Sequence, residues 1–320
     1  MKKILITGVT GFAGSFLAEH LISQSSEHKI YGTYLSDSGL KNIRSIEKSI
    51  DLTRVDLTDF DAVKQMISEI QPDEIYHLAA FPSPAKSFQD PSAYLQNNIN
   101  GELFILESLK QLNMLDTRVL VISSSEVYGA VTEADLPIDE LTPLRPVSPY
   151  GVSKIAQDFL ALQYTLAYGM HIVRVRPFGH IGPRLSPDFA SSIFAKKIAE
   201  IEKGTRDPIL TVGNLEGRRD LTDVRDIVKA YVLLLEKGEK GEVYNLGSGN
   251  SYKTADILEK LLSHSTAVVT ITQDPELLRP NDIPELRCDN KKIKELTGWN
   301  AEISLDQSLA DLLQYWREQV

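Results

Sequence analysis

Three glycines spaced three residues apart follow directly on an apolar run at the start of this chain, and that junction restricts the fold more than any other feature. Lys3-Ile4-Leu5-Ile6-Thr7 reads as a short buried strand, Gly8-Val9-Thr10-Gly11-Phe12-Ala13-Gly14 as a turn, and Ser15-Phe16-Leu17-Ala18-Glu19-His20-Leu21-Ile22 has helical periodicity. Each glycine has its own physical task. Gly8 permits the tight turn, Gly11 lets the backbone approach a pyrophosphate, and Gly14 lets the helix pack closely on the strand. The helix N-terminus, with Phe12 and Ala13 in its first turn, then offers N–H groups to phosphates. Strand, turn and helix in this order predict a dinucleotide-binding unit.

A second motif points to redox chemistry. In Ser148-Pro149-Tyr150-Gly151-Val152-Ser153-Lys154 a phenol and an ammonium stand one helical turn apart on one face. A phenol with a reference pKa of about 10 is a poor acid–base group at neutral pH, and a neighbouring ammonium favours its phenolate. Such a tyrosine can exchange a proton with a carbinol or ketone oxygen while a nicotinamide exchanges the hydride. Taken alone, Tyr-x-x-x-Lys is as readily a half-buried tyrosine beside a solvated lysine. Behind a glycine turn, the pair predicts use of NAD(H) or NADP(H).

Between the two motifs the chain alternates strand-like and helix-like stretches, the pattern of a parallel sheet covered on both faces. Strands are expected at Lys29 to Leu35, Leu52 to Asp56, Glu74 to Ala79, Arg118 to Ser123 and His171 to Arg176. Helices are expected at Phe60 to Ile70, Ala93 to Leu112 and Tyr150 to Tyr168. Right-handed crossovers make this an α/β, Rossmann-type doubly wound sheet with ligands at the strand C-termini. From Pro177 the pattern is less regular. Phe178 to Arg184 and Gly213 to Asp220 read as loops, Phe189 to Lys203 and Val224 to Lys237 as helices, and Glu242 to Asn245 as a strand. The last third reads as a small helical and β cap, giving a smaller C-terminal α/β substrate domain. Residues 1–177 with 221–247 are expected to bind the dinucleotide, and 178–220 with 248–320 the substrate.

Composition narrows the function. The 320 residues are 42% hydrophobic and carry a net charge of −10, enough for a sizeable core and unsuited to nucleic acid or an anionic membrane. The lone Cys288 makes no intrachain disulfide, and Met1-Lys2-Lys3-Ile4-Leu5-Ile6 is too short a leader before the glycine turn, so a cytoplasmic enzyme is expected. The six histidines show no ligand spacing with carboxylate or cysteine, and no metal is expected. Apolar positions Leu103, Leu106, Phe159 and Leu162 exceed what one sheet face needs, which suggests a partner helix and a homodimer.

Further candidates follow from position. Ser123-Ser124-Ser125-Glu126 ends a predicted buried strand, where Ser124 could bond a substrate oxygen or merely belong to a serine-rich turn. Leu78-Ala79-Ala80 sets small side chains where a cofactor passes, or where elements pack. Asp56 suits an adenine edge or a helix cap alike. Arg176, Arg184, Arg218, Arg219, Arg225 and Arg279 flank later loops, and guanidinium forks suit diphosphates, with Arg219 and Arg279 the best placed. The second strand ends Gly32-Thr33-Tyr34-Leu35-Ser36-Asp37, without the acidic tip that selects NAD or an arginine that selects NADP.

These residues together resemble the extended short-chain dehydrogenase/reductase family that modifies nucleotide sugars. The likeness runs through Arg145-Pro146-Val147-Ser148-Pro149-Tyr150, His180-Ile181-Gly182-Pro183, Val212-Gly213-Asn214-Leu215-Glu216, Arg219-Asp220-Leu221-Thr222-Asp223-Val224-Arg225-Asp226 and Leu278-Arg279-Pro280. It implies a catalytic set of Ser124, Tyr150 and Lys154, with Lys154 also on the nicotinamide ribose. It places Asp56 and Leu57 at the adenine, and Leu78, Ala79, Ala80, Asn98 and Pro177 along the cofactor. Ser125, Gly179, Arg219 and Arg279 fall to the substrate, and the implied reaction is reduction of a GDP-linked 4-keto-6-deoxy-mannose at C4 to GDP-D-rhamnose. Two departures stand out. Gly179 replaces a usual asparagine, and Glu126 matches the position that serves dehydratases as base. A 4,6-dehydratase or 4-epimerase is therefore the alternative reading, and a non-catalytic nucleotide-binding regulator a further one, which the intact Ser124, Tyr150 and Lys154 disfavour.

Overall fold

A computed structural model describes residues 1–277 and 283–320. The chain runs through β1 (Lys2–Thr7), α1 (Phe12–Gln24), β2 (His28–Tyr34), β3 (Ile50–Arg54), α2 (Phe60–Ile70), β4 (Glu74–His77), α3 (Pro84–Ser87) and α4 (Pro91–Gln111). It continues with β5 (Arg118–Ile122), α5 (Pro149–Tyr168), β6 (Ile172–Pro177), β7 (Gly179–Ile181), α6 (Ala190–Glu202), β8 (Ile209–Val212), β9 (Arg218–Asp223), α7 (Val224–Lys237) and β10 (Val243–Leu246). It ends with β11 (Ser251–Lys253), α8 (Thr254–Ser263), β12 (Thr270–Gln273), β13 (Glu285–Leu286), α9 (Lys291–Thr297) and α10 (Leu305–Gln319).

The main sheet is parallel throughout, in the order β10-β6-β5-β4-β1-β2-β3. Strand order reverses between β1 and β4, so a crevice opens beyond their C-termini, as the doubly wound reading requires. One face packs on α1, α7 and α9 through Leu17, Leu21, Ile227, Leu234 and Ile293. The other packs on α2, α4 and α5 through Val63, Ile67, Ile105, Leu109 and Ala161. Burial on both faces accounts for strands such as Ile4-Leu5-Ile6 and Val119-Leu120-Val121, which are apolar at every position and fully enclosed. A further core of Phe194, Ile198, Leu210, Leu258, Leu309 and Leu313 joins α6, α8 and α10 beside the short strands. No helix among the described residues is long and apolar enough to cross a membrane.

Several boundaries differ from expectation for identifiable reasons. The segments Phe178 to Arg184 and Gly213 to Asp220 are not loops throughout, since they contain β7 and the start of β9. Their pairing is remote in sequence: Gly179 lies opposite Leu221, and Arg219 opposite both Tyr252 and Leu286. Helix α4 starts before Ala93 because the Asp90 carboxylate accepts the Ala93 N–H at 3.0 Å and Pro91 suits the first turn. The third strand is Ile50–Arg54 and stops short of Asp56. Leu106 belongs to the core, and the exposed apolar positions lie on α5, with Phe159 50% and Leu166 77% exposed.

One buried charge cluster fastens α5 to the sheet. Asp158 is fully enclosed, and its carboxylate accepts from Arg174 Nη1 at 2.6 Å and Arg176 Nε at 2.7 Å. Arg176 also donates to the Tyr128 hydroxyl at 3.0 Å, which donates to Asn245 Oδ1 at 2.6 Å and so reaches β10. Removing the carboxylate strands two buried guanidinium groups. Asp158→Ala should therefore lower stability by about 3–5 kcal/mol, read by urea unfolding, whereas a loss below about 1 kcal/mol, the range of exposed ion pairs, would show that the clamp does not hold the helix.

Candidate active site

The glycine turn sits where the strand order reverses. Gly8 adopts φ +69°, and a Cβ there would lie 3.0 Å from the Ala79 Cα at the end of β4. At Gly14 a Cβ would come within 2.3 Å of the Gly8 carbonyl oxygen, so α1 can pack on the turn only without a side chain there. Gly11 donates to that same carbonyl at 2.9 Å and begins α1 with no side-chain cap, which leaves the helix N-terminus, at Phe12 and Ala13, suited to an anion. Thr7 Oγ1 accepts from both Leu78 N and Ala79 N at 3.1 Å, locking the two strand ends together. This glycine cradle fits a dinucleotide pyrophosphate, with Leu78, Ala79 and Ala80 half-buried along its side.

Other expected cofactor residues are placed as follows. Asp56 is exposed just beyond β3 and holds Thr58 through its N–H at 2.9 Å and hydroxyl at 2.7 Å. The cap of α2 is Asp59, which accepts from Ala62 N, so the helix-cap alternative for Asp56 falls away. Leu57 is buried beside it, and Pro177 is buried at the end of β6. Asn98 is fully enclosed, accepting from Phe81 N at 2.8 Å and donating to Ser153 Oγ at 2.9 Å, and so ties the loop after β4 to α5.

Ser124, Tyr150 and Lys154 converge at the C-terminal end of β5. Ser148 caps α5 by accepting from Gly151 N at 3.0 Å, Pro149 fills the first turn, and Ser123 Oγ donates to the Lys154 carbonyl at 3.2 Å. Tyr150 is buried, and burial pushes its phenol well above the usual tyrosine range; the Ser124 hydroxyl pulls it down, and Glu126 and Tyr94 push it further up. The Lys154 ammonium donates to the Ile122 carbonyl at 2.9 Å and lies 5.9 Å from the centre of the Tyr150 ring. Burial drops it to about 8, a fall that Glu102 opposes. Shared helix spacing puts the two groups on one face, and burial of that face raises the phenol and lowers the ammonium.

The substrate side is less concentrated than expected. Ser125 is buried behind Ser124. Arg219 on β9 donates to the Arg218 and Ile283 carbonyls, both at 2.8 Å, and Arg279 lies outside the described residues. The remaining arginines are held by the protein itself. Arg176 grips Asp158, Arg184 bonds Ser15 and Glu19, Arg218 bonds Ser251, and Arg225 joins Asp223 to Asp311. At Gly179 a Cβ would meet Leu221 Cδ2 at 2.6 Å and the Asp220 carbonyl at 2.9 Å, so the pairing of β7 with β9 leaves no room for an asparagine.

Residues 5–312 match the protein family described as GDP-mannose 4,6 dehydratase. The chain belongs to this family. It is accordingly an enzyme of the extended short-chain dehydrogenase/reductase type that acts on nucleotide sugars. It is 33% identical to the GDP-6-deoxy-D-mannose reductase of Pseudomonas aeruginosa, covering 100% of this chain and 98% of that protein. It is 29% identical to the GDP-mannose 4,6-dehydratase of Yersinia enterocolitica, covering 98% of this chain and 93% of that one. Among solved structures, the RMD protein of Pseudomonas aeruginosa complexed with NADPH superposes with a TM-score of 0.87 at 32% identity, covering 100% of both chains. The UDP-glucose 4-epimerase of Thermus thermophilus complexed with NAD gives 0.88 at 26%, covering 99% of this chain and 100% of that one.

The sequence alone does not single out Tyr231 or Glu102, and it gives His180 only as part of a matching passage. His180 and Tyr231 share a hydrogen bond of 2.9 Å, and Tyr231 feels the charge of Tyr150. Glu102 is enclosed in α4. The signal for Glu102 was its position one turn after Asn98 on a helix that otherwise packs inward.

Proposed function

We propose that this enzyme reduces the C4 ketone of GDP-4-keto-6-deoxy-D-mannose to give GDP-D-rhamnose. The observation that carries this reading is the burial of Tyr150 against Ser124 at the end of β5. Buried against Ser124 and held protonated beyond the ordinary tyrosine range, the phenol is suited to give a proton to a ketone oxygen rather than to take one from a hydroxyl. Full-length likeness to a protein named GDP-6-deoxy-D-mannose reductase supports the same direction.

In this reading the glycine turn of Gly8, Gly11, Phe12, Ala13 and Gly14 holds the cofactor pyrophosphate. Asp56 and Leu57 meet the adenine, and Leu78, Ala79, Ala80 and Pro177 border the rest. A bound nicotinamide, from NADPH or NADH, supplies the hydride for C4. Tyr150 donates its proton to the C4 oxygen, and the Ser124 hydroxyl bonds that oxygen as negative charge builds on it. Lys154 steadies the phenolate that remains and reaches the nicotinamide ribose. Arg219 and Arg279 orient the diphosphate, and Ser125 and Gly179 border the sugar. Residues 1–177 and 221–247 serve the cofactor, and 178–220 with 248–320 serve the nucleotide sugar. The exposed Val152, Phe159 and Leu166 on one stripe of α5 are the surface for a homodimer, a mass that light scattering at micromolar concentration reads directly; a monomer mass there counts against it.

The dehydratase reading is favoured by the family match and the 29% likeness to a GDP-mannose 4,6-dehydratase, and within the site by Glu126, whose charge acts on the Tyr150 phenol. Elimination needs a base at sugar C5, whereas ketone reduction does not. In deuterated water the 4-keto-6-deoxy sugar should be reduced with no deuterium at C5, GDP-mannose should give no 4-keto product, and Glu126→Gln should keep most reductase activity. Conversion of GDP-mannose with deuterium entering C5, both abolished in Glu126→Gln, would make the enzyme a dehydratase.

A further inference from the structure

Lys154 presents a problem of charge. Its side chain is buried, 4% exposed, and its ammonium donates to the Ile122 carbonyl, a neutral group. A buried charge without a counter-charge costs several kcal/mol. The chain that surrounds it offers few candidates. Asp158, one turn further along α5, is committed to Arg174 and Arg176. Tyr150 is a neutral phenol beside Ser124, and Glu126 lies on its side of the site. His77 of β4 is neutral as well, lowered to about 3 by burial and then by Lys154.

The tautomer of His77 follows from its bonds. Thr7 Oγ1 already accepts from Leu78 N and Ala79 N, so its own proton goes to His77 Nδ1 at 2.9 Å. The ring proton then sits on Nε2, 3.4 Å from the Gln157 amide nitrogen; that nitrogen cannot accept, so the Gln157 amide must turn its oxygen to His77 to take the proton. Glu102 completes the layer. Helices α4 and α5 both return along a parallel sheet and so run in the same direction; Asn98 meets Ser153, and Glu107 meets the Tyr164 hydroxyl at 2.8 Å. One turn beyond Asn98, Glu102 must face the turn of α5 that carries Lys154 and Gln157. It is 1% exposed, and neither carboxyl oxygen closes a full hydrogen bond, although Gln157 is near enough to favour its charged form.

We propose that Glu102 is the internal counter-charge of Lys154, a positioning residue on α4 that keeps the lysine an ammonium at the floor of the site. Its consequence for turnover rests on the reading of Lys154 given above, but the charge pairing does not. The electrostatics agree in sign from both sides. Burial lowers Lys154, and Glu102 is the charge that opposes the fall; burial carries Glu102 well above the usual carboxylate range, and Lys154 is the leading charge that opposes that rise. Loss of the carboxylate therefore lowers the lysine further, and the ammonium is lost at a lower pH.

Lysine carrying ¹³C at Cε, with Lys154→Arg identifying the signal, gives the Lys154 midpoint in the protein without substrate or cofactor. The wild type should titrate near 8. Glu102→Gln should titrate lower by roughly one pH unit or more, and Glu102→Asp should retain part of the difference. NADPH binding followed by fluorescence should weaken on the alkaline side at a correspondingly lower pH in the glutamine variant. An unchanged or higher midpoint in folded Glu102→Gln overturns the proposal, and because no substrate is present it does so independently of the reaction assigned. Should Glu102→Gln not fold, Glu102→Gln/Lys154→Met decides the matter by circular dichroism. Removing the lysine charge as well should restore a folded protein, and a double variant that is still unfolded overturns the pairing.

Discussion

Tyr150, Lys154 and Asp158 follow one another at four-residue intervals down the inner face of α5, where water is excluded, and their exposures are 8%, 4% and 0%. That exclusion governs the site. In water a phenol and an ammonium would both keep their ordinary protonation through neutral pH. Enclosed, the phenol is pushed up and the ammonium down, so the first becomes a firm proton donor and the second depends on its neighbours for its charge. Each group must then be answered from within the protein. Ser124 and the Ile122 carbonyl on the β5 side, Glu102 on α4, and Arg174 and Arg176 on β6 supply those answers.

The cofactor side of the same layer depends on a different constraint, the close approach of β1 and β4. With no side chain at Gly8 or Gly14, the first turn of α1 drops onto the strand end and Ala79 comes against it. Thr7 bridges the two strands and passes its proton to His77, whose ring turns toward Gln157 in the catalytic layer. A neutral polar path thus joins the glycine turn to the floor beneath Lys154. Geometry set for binding and geometry set for proton transfer are held by one buried network, and a disturbance at Gln157 or His77 should be felt at both.

What could be read in advance depended on how local the cause was. The glycine turn, the alternation through Tyr168 and helix Val224–Lys237 are written in short-range patterns, and the structure has them. Strands β7, β9, β11 and β13 were not legible, because each is short and held by partners remote in sequence, such as Ser251 opposite Asp220. Arg176 and Arg225, which by chemistry suit a diphosphate, are held within the fold, since a sequence does not show that Asp158 or Asp311 waits nearby. Helical spacing fixes which residues share a face, but says nothing of how deeply that face is buried.

The central claim is that burial keeps Tyr150 protonated so that it can act as an acid. Labelling tyrosine with ¹³C at Cζ, assigning the signal with Tyr150→Phe, and following it with pH tests this directly. The account predicts that Tyr150 remains a phenol past the ordinary tyrosine midpoint of about pH 10 while exposed tyrosines ionise. A phenolate signal forming near neutral pH would contradict it.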